Sequence, residues 1–86
     1  ADPQAVAVLR AARRRLAAAE RWDERAIGGA LRAAGKDAGA QGRALYEPIR
    51  IAVTGRAEGP PLVAVLLVLG RAAVLRLLDT LLGPEL

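Results

Sequence analysis

Of the 86 residues, 53 % are hydrophobic, yet only two are aromatic, Trp22 and Tyr46. A core must therefore be filled by small and mid-sized apolar side chains, alanine above all. Ala, Leu and Arg are strong helix formers, and no stretch alternates polar and apolar residues long enough to build a sheet. The predicted fold class is all-α. A chain of this length is one domain or part of one, so residues 1–86 are read as a single α-helical unit. It buries a modest fraction of its surface, and a second domain or partner would help to stabilise it.

About five short helices are expected, near 3–20, 23–34, 43–53, 61–69 and 71–82. Asp2-Pro3 is a helix start, a capping carboxylate followed by proline at the first helical position. The stripe behind it is Ala5, Leu9, Ala12, Leu16 and Ala19. Asp23 caps the second helix, with Trp22 before it placed to staple onto Ile27. Ile27, Leu31 and Ala34 form its apolar face, Gly28-Gly29 would let another helix approach closely, and Gly35 is the expected C-cap. The segment Lys36–Gly42 reads as a loop. In the third helix Ala44, Leu45, Ile49, Ala52 and Val53 face inward. Pro48 either kinks it or makes it start afresh near Glu47. Thr54-Gly55 ends it, and Pro60 or Pro61 opens a fourth helix that is apolar almost all round and so should be the most buried. Val74, Leu77, Leu78, Leu81 and Leu82 form the core face of the fifth.

There is no cysteine and no histidine. Disulfides, thiolate metal sites, the usual zinc sites and any His-based general base or triad are excluded. The nine acids form no close constellation at metal spacing, so a metal site is expected nowhere. The residues suit a binding module better than a catalyst. No basic segment followed by an apolar run marks a signal peptide. The longest apolar run, Pro60–Gly70, is about half of the roughly 20 residues a membrane span needs. The first residue is Ala rather than Met, which suggests a processed or excised fragment; a natural short protein stays open.

Twelve arginines against one lysine give a net charge of +4. Arg10, Arg13, Arg14, Arg21, Arg25 and Arg32 fall on the first two helices, where paired guanidinium hydrogen bonds could follow a nucleic-acid backbone. Arginine is equally a solvent-facing helix residue, and Glu20, Asp23 and Glu24 partly neutralise the set. Two aromatics do not make a base-stacking platform, and Trp22 between two helices reads as a core anchor. The stretch Thr54–Leu62 ends one helix and begins another. It is either a tight interhelical turn or a place where free backbone N–H groups meet phosphates or base edges.

The residues from Gly42 onward carry an ordered pattern: Gly42-Arg43-x-Leu45-x-x-Pro48-Ile49-Arg50-x-Ala52-x-Thr54-Gly55, then Gly59-Pro60-x-Leu62, then Leu69-Gly70-Arg71. With Trp22 and Ala30-Leu31-Arg32 before it, this resembles the C-terminal anticodon-binding region of bacterial glutamyl-tRNA synthetases, over roughly Leu16–Leu82. The family often has Leu where this chain has Ile49, an acid or Gly at Pro61, an acid near Ala72-Ala73, and Arg at Leu77. These changes remove polar surface from the C-terminal helix pair.

The resemblance implies the distal part of the helical anticodon-binding domain of a class I aminoacyl-tRNA synthetase. Its HIGH-type and KMSKS-type catalytic motifs are absent from these residues. The implied role is recognition of the tRNA anticodon within a cytoplasmic glutamate–tRNA ligase that joins glutamate to tRNA with ATP. ATP and magnesium would serve the parent enzyme and no cofactor this segment. The implied partners are tRNA-Glu, alone or with tRNA-Gln, and the parent catalytic domain; no membrane partner and a monomeric state are expected. By the same resemblance Arg50, Gly59, Pro60 and Leu62 would contact the anticodon, through Arg50 and through the backbone and apolar surface of the turn. Arg32, Arg43 and Arg56 would be phosphate contacts, and Thr54 and Gly55 would shape the helix end. RNA readers commonly take splayed single-stranded loop bases, which suits a loop-and-helix-end site. Two other readings compete: a free-standing helical interaction or scaffold domain that kept the fold without reading tRNA, and a basic amphipathic module at a membrane surface.

Overall fold

A computed structural model of the chain describes residues 2–83. They form five helices, α1 (Pro3–Ala18), α2 (Glu24–Ala38), α3 (Arg43–Thr54), α4 (Leu62–Leu69) and α5 (Arg71–Leu82), with no strand among the described residues. The all-α reading is correct. α1 is the hub: it packs against α2, α3 and α5, while α4 rests on α2, α3 and α5. Val8, Leu9, Ala11, Ala12 and Leu16 of α1, Ile27 and Leu31 of α2, Ile49 of α3, Leu66 of α4, and Val74 and Leu78 of α5 share one core. That core contains no buried polar or charged side chain among the described residues.

Local chemistry sets the starts. Asp2 accepts from Gln4 N–H at 3.0 Å, and Asp23 accepts from Ala26 N–H at 2.8 Å, each satisfying one orphan donor of a first turn.

The ends differ from expectation in two helices. α1 stops at Ala18 rather than near Glu20, because Ala19 turns extended (ψ 128°). The carbonyls of Leu16 and Ala17, which would accept from residues 20 and 21 in a longer helix, are taken by Arg71 Nη1 at 3.2 and 3.1 Å. α2 continues past the predicted Gly35 cap to Ala38. Gly39, at φ 66°, is the left-handed residue that closes it. Gly39 N–H bonds to Lys36 O and Ala40 N–H to Gly35 O, the paired arrangement that satisfies a helix C-terminus. The expected loop over 36–42 thus shrinks to the Gly39–Gly42 connection.

Gly35 serves a different purpose. A Cβ built on it would lie 2.6 Å from Ala40 O and 2.9 Å from Leu45 Cδ2. The α2–α3 connection folds back onto a position only glycine fits. By contrast, a Cβ on Gly28 or Gly29 would meet only the side chain of Arg32. The expected close approach of a neighbouring helix at this glycine pair is not found.

Pro48 lies inside one continuous helix rather than starting a new one; its cost is the bond its missing N–H would make to Ala44 O. Leu45, Ile49 and Val53 face the core, but Ala44 is exposed. α4 is not the most buried element. Only Leu62 and Leu66 are buried, while Val68 is 86 % exposed and Leu67 and Leu69 are over one-third exposed. A helix apolar on every side has more apolar surface than its neighbours can cover. On α5 the buried face is narrower than expected: Val74 and Leu78 are enclosed, and Leu81 is 57 % exposed.

Candidate nucleic-acid interface

The segment between α3 and α4 is open: residues 54–61 are all exposed. Among the described residues its backbone N–H groups form no backbone–backbone bond between Gly55 N–H on Ile51 O and Val65 N–H on Pro61 O. Two side chains hold it instead. The Thr54 hydroxyl donates to Arg50 O at 2.8 Å and accepts from Arg56 N–H at 3.0 Å. At the far end Arg50 Nη1 donates to Pro60 O at 2.5 Å. Gly59 has φ 155°, and a Cβ there would sit 3.6 Å from Arg50 Nη1. Arg50, Gly59 and Pro60 are therefore one local cluster, with Arg56 on the same turn.

Leu62 has a different place. The whole residue, backbone included, is only 4 % exposed and belongs to the core, so the surface at this end of the turn is that of Gly59, Pro60 and Pro61. The residue before it, Pro61, provides no side-chain cap. The N–H groups of the first turn of α4 therefore lack a capping oxygen from that residue.

Arg32 and Arg43 lie elsewhere. Arg43 starts α3 and pairs with Glu47 at 3.3 Å. It is separated from Thr54 by the length of the helix, about 16 Å at 1.5 Å per residue. Arg32 lines an open cleft of about 450 Å³ with Lys36, Gln41, Gly42 and Tyr46. The three candidate phosphate contacts thus divide between two places, Arg56 beside the turn and Arg32 and Arg43 near the opposite end of α3.

The arginines of the first helix are largely committed to the fold. Arg13 pairs with Asp79 of α5 through Nε at 2.8 Å. Arg15 and Arg14 meet Asp37 of α2 at 2.7 and 3.4 Å. The hydrogen bond from Arg15 holds the Asp37 carboxyl well below its usual range, at about 2, and that from Arg13 lowers Asp79. Arg21 falls in the α1–α2 connection rather than on either helix.

Sequence reasoning missed the part played by Arg71. Besides Leu16 and Ala17, its Nη1 donates to Ala19 O. Its guanidinium carbon lies 5.3 Å from the centroid of the Trp22 ring, and Trp22 Nε1 donates to Leu66 O at 3.1 Å. The arginine of Leu69-Gly70-Arg71 therefore closes the C-terminus of α1. Only the unusual Gly-Arg at a helix start hinted at a special position.

The sequence model of the family described as an anticodon binding domain matches residues 1–82. The chain is 46 % identical over 70 residues to glutamate–tRNA ligase 2 of Acidiphilium cryptum, covering 81 % of this chain and 16 % of that protein. It is 42 % identical over 74 residues to glutamate–tRNA ligase of Roseiflexus castenholzii (86 % and 15 %). It is 38 % identical over 76 residues to glutamate–tRNA ligase of Bacillus thuringiensis (88 % and 16 %). The chain spans about one-sixth of the length of these relatives. No solved structure gives a significant match. Fold and sequence together define an all-α domain of the kind class I synthetases use for anticodon binding. The chain belongs to the anticodon binding domain family.

Proposed function

We propose that this domain recognises the anticodon of tRNA-Glu as part of a glutamate–tRNA ligase. The observation that carries the reading is the alignment of most of this chain with glutamate–tRNA ligases from three distinct bacteria. The exposed α3–α4 turn supports it: uncapped backbone groups at a helix start, beside Arg50 and Arg56, suit the edges and phosphates of an unstacked loop. Arg50, Gly59 and Pro60 form the reading patch, and Leu62 anchors its edge in the core. Arg56 adds phosphate attraction, and Arg32 and Arg43 extend it toward the other end of α3.

The domain contributes selection rather than chemistry. In this reading no cofactor belongs to this segment. In such a ligase ATP and magnesium would be handled by residues outside it. No helix among the described residues is long and apolar enough to cross a membrane.

The test is fluorescence anisotropy of the domain with tRNA-Glu at moderate salt, beside the same tRNA carrying a replaced anticodon. A clear preference for the native anticodon is expected. Equal binding, or none, would overturn anticodon reading by this domain and favour a scaffold role.

A further inference from the structure

We propose that Arg50 is a positioning residue: it acts on RNA by fixing the shape of the Arg56–Pro61 turn rather than by touching a phosphate. The inference rests on the anticodon-reading role proposed above and states how one residue of that patch works.

Three observations converge. Among the described residues the turn makes no backbone–backbone bond from the N–H groups between Gly55 and Val65, so its shape depends on what grips it. The grips are Thr54 at its start and Arg50 at its end, and both belong to the last turns of α3. Thr54 also donates to the carbonyl of Arg50, so one residue is bonded at its backbone to the start of the turn and at its guanidinium to the end. The acceptor is the Pro60 carbonyl, next to Gly59, whose φ of 155° only glycine adopts readily. A charged donor on a neutral carbonyl is among the stronger single hydrogen bonds. With it made, the peptide between Pro60 and Pro61 has one orientation, and the start of α4 follows.

A direct phosphate contact and a positioning role leave different marks. Removing a phosphate contact weakens binding to all RNAs alike and lowers the salt slope by about one. Removing a positioning residue leaves that slope unchanged and erodes discrimination, because the bases meet a turn of the wrong shape.

The experiment compares the wild-type domain with Arg50→Met, which keeps an apolar stem without a donor. In the free variant the amide resonances of Glu58, Gly59 and Leu62 should shift while that of Leu31 stays in place. With tRNA-Glu, the preference for the native anticodon should fall about tenfold or more, the scale of a lost charge-assisted hydrogen bond, at an unchanged salt slope. Unmoved turn resonances, intact discrimination, or a slope reduced by about one would each overturn the proposal. Should Arg50→Met fail to fold, the free wild type decides the clamp: a hydrogen-bonded Arg50 shows a resolved, slowly exchanging Nη–H signal, and a rotationally averaged one overturns it. Absence of tRNA binding by the wild type would defeat the anticodon reading alone, since the resonances of the free protein still decide whether Arg50 holds the turn.

Discussion

Arg71 stands over Trp22, with its guanidinium carbon 5.3 Å from the ring centroid, while the same side chain gathers the last carbonyls of α1. The cation is held by the face of an indole and by the negative end of a helix dipole, two partners that favour a planar, delocalised charge. Arg71→Leu should therefore destabilise the domain by about 2 kcal/mol, the scale of hydrogen bonds to a charged group. Arg71→Lys should recover only part of it. Urea denaturation followed by the fluorescence of Trp22, the single tryptophan of the chain, would measure both. Equal stability of Arg71→Leu and wild type would refute the clasp.

Two glycines of α2 should respond in opposite directions. At Gly28 an added methyl meets only the flexible end of Arg32 at 3.4 Å, so Gly28→Ala should stabilise by up to about 1 kcal/mol through helix propensity. At Gly35 the same methyl would press on Ala40 O and Leu45. Gly35→Ala should destabilise by about 1–3 kcal/mol, the cost of overpacking. Thermal melts of the two variants side by side would decide it; a shift of the same sign would count against this assignment of the glycines.

On α4 two positions on different faces of one turn should behave differently. Leu66→Ala opens the core and should cost about 2–5 kcal/mol. Val68→Ser, at a position 86 % exposed, should stay within about 0.5 kcal/mol of wild type. A large loss at Val68 in the isolated domain would mean that this surface is covered by something, a second copy being the first to test by sedimentation.

Acid stability should trace the Asp37 pair. Its carboxyl titrates near 2 in the folded chain, held down chiefly by the hydrogen bond from Arg15, against an ordinary value of 3.8. A depressed carboxylate stabilises above its unfolded pKa, and that contribution is lost as pH falls through the folded value. Asp37→Asn should therefore flatten the decline of the melting midpoint between about pH 4 and pH 2. The effect should be modest and shrink in salt, because the pair is open to solvent. An unchanged pH profile would show that the bond is not populated in solution.

Arg56 offers a charge-only test of the interface. It lies on the exposed turn and makes no ion pair among the described residues. If it meets a phosphate, Arg56→Ala should lower the salt slope of tRNA binding by about one and weaken cognate and altered anticodons alike. An unaltered slope would remove Arg56 from the interface.

What was legible in the sequence was local. Asp2 and Asp23 announce helix starts because a cap needs only the residues next to it, and Ile27, Leu31 and Ala34 announce a face because period alone defines it. Gly35 misled because glycine ends helices and also permits close packing, and only the fold-back of Ala40 and Leu45 tells which. The burial of α4 misled because composition describes a helix all round, whereas burial depends on how many sides have neighbours. At the candidate site the order of Arg50, Gly59, Pro60 and Leu62 was visible. The inward turn of Leu62 and the bond from Arg50 to Pro60 were not, because both depend on how α3 and α4 meet. Arg71 was the least legible, since the carbonyls it binds lie more than fifty residues away in the chain.

That separation bears on how the domain comes into being. During synthesis α1 can meet α2 almost at once, but Arg71 reaches the carbonyls of Leu16 and Ala17 only after 55 and 54 further residues. Until then those carbonyls face water, and part of the α1 stripe that α5 will cover stays open. Long-range closures of this kind slow folding, so a growing chain should complete its native structure late, as α5 leaves the ribosome. A nascent chain halted just before Arg71 would be a ready client for chaperones.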